Sequence, residues 1–122
     1  MKFLANIAVA FVAILHVLFM ALEMFFWKTP SGRRIFGLSR EFAEKSAALA
    51  ANQGLYNGFL AAGLVWSLIL GSEGSGVKIF FLSCVVVAGI FGAITVNRSI
   101  FWIQALPGIA ALILVVLTGV TG

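Results

Sequence analysis

The stretch Ala13–Trp27, "AILHVLFMALEMFFW", decides how the rest of this chain is read. Nearly all of it is at home in hydrocarbon, yet it carries His16 and Glu23. A run this apolar reads as a membrane-crossing helix, because ~30 Å of hydrocarbon takes ~20 mostly apolar residues. A carboxyl group in that medium has lost its water and must find partners inside the protein, which makes Glu23 a functional candidate from the outset. The whole chain fits the same reading. Of its 122 residues, 62% are hydrophobic and 10% charged, against ~45–50% and ~25% in soluble domains. One transmembrane domain, residues 1–122, is expected.

The net charge of +4 does not call for a nucleic-acid partner. Lys28, Arg33, Arg34, Arg40 and Lys45 all lie in one connection, where they set topology and meet anionic lipid heads. The lone Cys84 excludes an intrachain disulfide and reads as a small apolar residue.

Hydropathy predicts an all-α, integral membrane four-helix bundle with spans over about residues 3–27, 48–70, 78–96 and 100–120. The first is too long for a signal-peptide core and has no small-residue cleavage site after it. In the first connection, Pro30 and Gly32 turn the chain, and Ser39 caps a short amphipathic surface helix between spans 1 and 2. Glu41 and Lys45 form a favourable i,i+4 pair there, and Phe36 and Phe42 rest in the interface. "GSEGSG" is a flexible turn, and "NRS" (Asn97–Ser99) barely separates spans 3 and 4. Lys28, Arg33, Arg34, Arg40, Lys45 and Arg98 lie on one side, and only Lys2 and Lys78 on the other. That bias puts loops 28–47 and 97–99 in the cytoplasm and both termini outside.

With this topology, polar groups from separate spans fall at similar depth. Glu23 lies one turn inside Trp27; Asn52, Gln53, Tyr56 and Asn57 enter with span 2, and Gln104 with span 4. Arg98 stands at the mouth, and His16 lies two turns deeper than Glu23 on the same face. Lipid cannot satisfy these groups, so they are expected to face inward, with Asn52 and Tyr56 forming a polar face on helix two. Taken singly, the amides and His16 read more readily as interhelical hydrogen bonding than as ligand contacts; Glu23 does not.

His16, Met20, Met24 and Cys84 could make a soft copper set, but methionines at helical spacing are normally packing. No metal site and no cofactor are expected, for no HExxH, CxxC pair, phosphate-binding loop or nucleophile elbow is present. Gly54, Gly58 and Ala62 permit close helix approach, as do Gly89 and Gly92. Pro107–Gly108 should loosen helix four near Gln104.

The motifs "LHVLFMALEMFFW" and "NQGLYNGFLAAGL" resemble a family of small four-span bacterial membrane proteins catalogued as domain of unknown function 1304. The resemblance covers nearly the whole chain. It implies a multipass protein of the bacterial inner membrane, with His16, Glu23, Trp27, Asn52, Gln53, Tyr56 and Asn57 matching the family pattern, and it implies no activity. Small multidrug-resistance transporters are similar in length and in carrying a first-helix carboxylate. The strong Lys/Arg bias and the polar helix-two motif of this chain depart from them, so they lend a chemistry and not an identity.

Three functions compete. The first is binding or transport of a small amphipathic or cationic molecule, with Glu23 as the proton-exchanging residue and His16, Asn52, Gln53, Tyr56, Asn57, Gln104 and Arg98 around it. The second is a membrane enzyme or redox partner using His16 and Glu23 as acid and base. The third is a scaffold or assembly factor. The first is favoured over an enzyme, because one histidine and one acid do not define a reaction. Beyond the lipid bilayer, the expected partners are a small-molecule ligand and a second copy of the chain in a homodimer.

Overall fold

The computed structural model describes residues 1–121. Its five α-helices are α1 (Lys2–Met24), α2 (Pro30–Phe36), α3 (Arg40–Ile69), α4 (Ser75–Thr95) and α5 (Leu106–Thr121). A 3-10 turn, Gly71–Gly74, leads into α4, and a π-helical turn, Phe101–Ala105, leads into α5. Among the described residues, three segments are long and apolar enough to cross a membrane: Lys2–Met24, Gly71–Thr95 and Phe101–Gly119. At ~1.5 Å per residue the first reaches about 34 Å, enough for the hydrocarbon layer. Large apolar side chains stand on their outer faces, among them Phe3, Phe91 and Ile94. Such surfaces suit lipid, and the three helices fit a membrane protein.

The remaining long helix, α3, has 30 residues and is not among those three. Charged residues occupy its first turns, and Asn52, Gln53 and Asn57 interrupt its apolar character. The expected span over residues 48–70 lies within it but for its last residue.

Local chemistry explains where the helices begin and end. The first was expected to run to Trp27 but stops at Met24. There the Phe25 and Phe26 N–H groups both turn back to the Ala21 carbonyl, at 2.9 and 3.2 Å, and the longer reach of the second closes the helix. The expected turn at Pro30–Gly32 is instead the start of α2. Thr29 caps it by accepting the Gly32 N–H at 3.1 Å, and proline occupies the first turn, where its missing donor costs nothing. Gly37 ends α2 at φ 66°, a conformation that only glycine adopts cheaply.

Ser39 caps the next helix as expected, accepting the Phe42 N–H at 3.1 Å, and Lys45 pairs with Glu41 at 2.9 Å. That helix is not a separate surface piece, however. "REFAEKSAALAANQ" holds no glycine or proline, so nothing breaks the helix between the Ser39 cap and the apolar stretch, and α3 continues from Arg40 to Ile69. The short helix between the two long ones is α2, a few residues earlier.

The chain's contacts group into two units: Leu15–Phe59, and Met1–Ile14 together with the chain from Leu60 on. The second is built around Val9, Val12, Leu64, Leu82, Val85 and Ala111, all fully buried. In it Gly89 of α4 meets the backbone of Ala105, where an added Cβ would come within 2.6 Å of the amide nitrogen. The loosening expected at Pro107 is the π-helical turn Phe101–Ala105, in which the Leu106 N–H reaches back to the Phe101 carbonyl. Lys78 is buried near the start of α4, and its Nζ donates to the Gly71 carbonyl at 3.3 Å.

Candidate functional site

Within the unit Leu15–Phe59, the end of α1 lies against the middle of α3 on a glycine surface. A Cβ on Gly54 would sit 2.7 Å from Met24 Cγ and 3.1 Å from Glu23 Cβ, and one on Gly58 would sit 2.8 Å from Met20 Sδ. Only the missing side chains let the two helices come this close. That closeness lets Asn57, itself buried, donate from Nδ2 to Glu23 Oε1. An amide donor thus answers the carboxyl group that α1 carries into its apolar run. It also removes two unsatisfied groups at once.

Beside this pair opens a cleft of about 240 Å³, lined by Glu23, Met24, Phe25, Trp27, Lys28, Thr29 and Ala47. Its walls are held by a tight turn. The Thr29 hydroxyl donates to the Phe26 carbonyl at 2.7 Å while accepting the Gly32 N–H. Gly32 lies so close to that carbonyl that a Cβ would come within 1.8 Å of its oxygen. Trp27 donates from its indole nitrogen to Ser46 Oγ at 3.0 Å and leans on Phe36, with ring centroids 4.8 Å apart. Ser46 in turn donates to the Phe42 carbonyl at 2.6 Å. Trp27 therefore ties α2 and α3 to the end of α1. On α2, Arg33 Nε is buried without a hydrogen-bond partner among the described residues.

The cleft carries one group of each charge, Glu23 and Lys28. Among the described residues they do not pair with each other; the ion pairs are Arg40–Glu44 and Lys45–Glu41, both on the exposed face of α3. A carboxylate has about four acceptor sites, so the single bond from Asn57 leaves capacity for a ligand's donors.

Of the residues picked out by sequence, the structure brings Glu23 and Asn57 together. His16 is fully buried on α1, with its ring edge-on to Phe19 at 5.4 Å, and does not line the cleft. Asn52, Gln53 and Tyr56 differ from the expected inward polar face: all three are exposed, and Tyr56 lies against Phe59. The reason is the ~100° per residue of a helix, which puts Asn52 and Tyr56 on a different face of α3 from Asn57. Gln104 is half-buried in the π-helical turn of the other unit, and Arg98 is exposed beside Asn97, whose Oδ1 accepts the Ser99 N–H at 2.9 Å. Met20 and Met24 fill the space over Gly58 and Gly54, while Cys84 belongs to the other unit, on α4.

Sequence reasoning did not find Lys28, Thr29 and Ala47 as lining residues. Lys28 had a signal, since it follows Glu23 by little more than a helical turn; Ala47 had none.

Residues 10–116 match the model of a family described as protein of unknown function (DUF1304). Over 115 residues the chain is 30% identical to the uncharacterized protein YpaA of Lactococcus lactis subsp. lactis (strain IL1403), covering 93% of this chain and 97% of YpaA. No solved structure matches this chain.

Proposed function

The chain belongs to the DUF1304 family of proteins of unknown function, and we propose from its site that it is a bacterial inner-membrane protein binding a small amphipathic cation. The single observation that carries this is Glu23, bonded on one side by the buried Asn57 and lining the cleft of about 240 Å³ on the other. In this reading residues 1–122 form one domain of four spans. Helix α3 is the second span, and its polar middle is tolerated because Asn57 bonds inward to Glu23. Loops 28–47 and 97–99 face the cytoplasm and both termini lie outside, following the Lys/Arg bias.

Asn57 holds one carboxyl oxygen of Glu23, and the ligand's ammonium approaches the group from the cleft. Where Glu23 is still protonated it gives its proton to water as the ammonium docks, so the bound ligand always faces a carboxylate. Met24, Phe25 and the Trp27 indole supply apolar wall for the ligand's carbon part. The enzyme reading is weaker, because His16 is enclosed against Phe19 and takes no part in lining the cleft.

The test compares purified parent and Glu23→Gln protein for thermal stabilisation by octylamine across pH. The parent's stabilisation should vary with pH and the variant's should not, because the titrating group is gone while shape and most hydrogen bonding remain. Identical pH profiles would leave a scaffold, with the polar pair serving only to join helices.

A further inference from the structure

We propose that the cleft takes a zwitterion, an ammonium joined through a short chain to a phosphate, with the ammonium against Glu23 and the phosphate against Lys28. This rests on the reading of the cleft as a cation-binding site and adds the second charge.

Three observations carry it. First, the cleft walls present one carboxylate and one ammonium that do not neutralise each other by an ion pair. A ligand with a lone positive charge would satisfy Glu23 and be repelled by Lys28; a lone anion would meet the reverse. A molecule carrying both charges satisfies both groups. Second, the cleft's volume is about 240 Å³, room for a small polar group with some of its water. That is the scale of a phosphoethanolamine group and smaller than the ~300 Å³ at which drug-sized pockets begin.

Third, the cleft lies where α1 ends. The exposed Phe25 and Phe26, then Trp27 and Lys28, follow the last turn in the order typical of a bilayer interface, with aromatic rings before basic residues. A group bound there has its polar part at headgroup depth and its carbon chains beside Met24 and Phe25. Lysine is a point-charge partner for phosphate, and Lys28 is exposed and commits no hydrogen bond that shapes the turn. The chemistry is shared by an ethanolamine phospholipid and by free phosphoethanolamine.

The experiment measures affinity through ligand-induced thermal shifts of the detergent-purified full chain. The probes are dihexanoyl-phosphatidylethanolamine, dihexanoyl-phosphatidylglycerol, octylamine and O-phosphoethanolamine. The parent should bind the ethanolamine lipid at least about tenfold more tightly than either the glycerol lipid or octylamine, since each of these lacks one charge contact. Glu23→Gln should bring the ethanolamine lipid down to the level of the glycerol lipid. Lys28→Gln should bring it down to the level of octylamine without weakening octylamine itself. Lys28 is exposed, so its variant decides the matter even where Glu23→Gln fails to fold. Saturation by free O-phosphoethanolamine at similar concentration identifies a soluble ligand; binding of the acylated form alone identifies a lipid, and both uphold the zwitterion.

Octylamine binding as tightly as the ethanolamine lipid, with Lys28→Gln silent, overturns the zwitterion and leaves the cation site standing. Equal binding of both lipids overturns it too, in favour of a basic surface that attracts any phosphate. If no probe binds, the zwitterion and the cation site both fall.

Discussion

Replacing Glu23 and Asn57 separately and together should expose how strongly the two side chains depend on each other. Asn57→Leu removes the donor from a carboxyl group that α1 carries inside the protein, and Glu23→Met leaves the buried Asn57 amide without its acceptor. An orphaned polar group costs roughly 1–3 kcal/mol. Polar contacts between membrane helices run lower, at about 0.6–2 kcal/mol, because the unfolded chain in lipid also finds partners. Each single variant should therefore lose about 1–2 kcal/mol. The double variant puts two apolar chains against the surface formed by Gly54, Gly58, Met20 and Met24, and should come back to within about 1 kcal/mol of the parent. The assay is unfolding of the four purified proteins in mixed micelles, read by far-ultraviolet circular dichroism. Effects that simply add, within ~0.3–0.5 kcal/mol, would mean the two side chains do not act as a pair, and the site as described would not exist.

Ala47→Leu should fill the cleft from α3 without touching Glu23, Asn57 or Lys28, so octylamine binding should weaken about tenfold or more while thermal stability changes little; isothermal titration checks it. Gly89→Ala should destabilise by about 1–3 kcal/mol, since its Cβ would press on the Ala105 backbone, whereas Gly76→Ala, which meets nothing within 4 Å, should be neutral or up to ~1 kcal/mol stabilising; parallel melts of the two proteins separate these outcomes. An alkaline phosphatase reporter joined at the C-terminus should be active, and one inserted after Gly37 inactive, with the reverse pattern overturning the proposed orientation.

Much of this was legible in the residues themselves. The apolar runs of α1, α4 and α5 declare themselves by hydropathy alone, and the Ser39 cap and the Glu41–Lys45 pair follow from spacing. Glu23 stood out because a carboxyl group in an apolar helix has few ways to be satisfied. What escaped the sequence was which neighbour would satisfy it. Asn52, Gln53, Tyr56 and Asn57 are close in sequence, yet only Asn57 shares a face with Gly54 and Gly58, and it is the contact of those glycines with Met24 and Met20 that selects it. The α2 turn was obscured for a similar reason. Pro30 and Gly32 read as chain breakers, whereas Thr29 makes the proline a helix start and Gly32 a point of close approach to Phe26. Lining residues such as Ala47 carry no signal of their own, because their role comes entirely from what lies opposite.

The most direct measurement is infrared difference spectroscopy of the Glu23 carboxyl group during ligand addition. Spectra of parent protein with and without octylamine, or the ethanolamine lipid, would be set against the same pair from Glu23→Gln. The account expects a change in the carboxyl bands that saturates with binding in the parent and is missing from the variant. Saturable binding that leaves the Glu23 bands unmoved would place the ligand elsewhere and reduce the Glu23–Asn57 pair to a fastening between two helices.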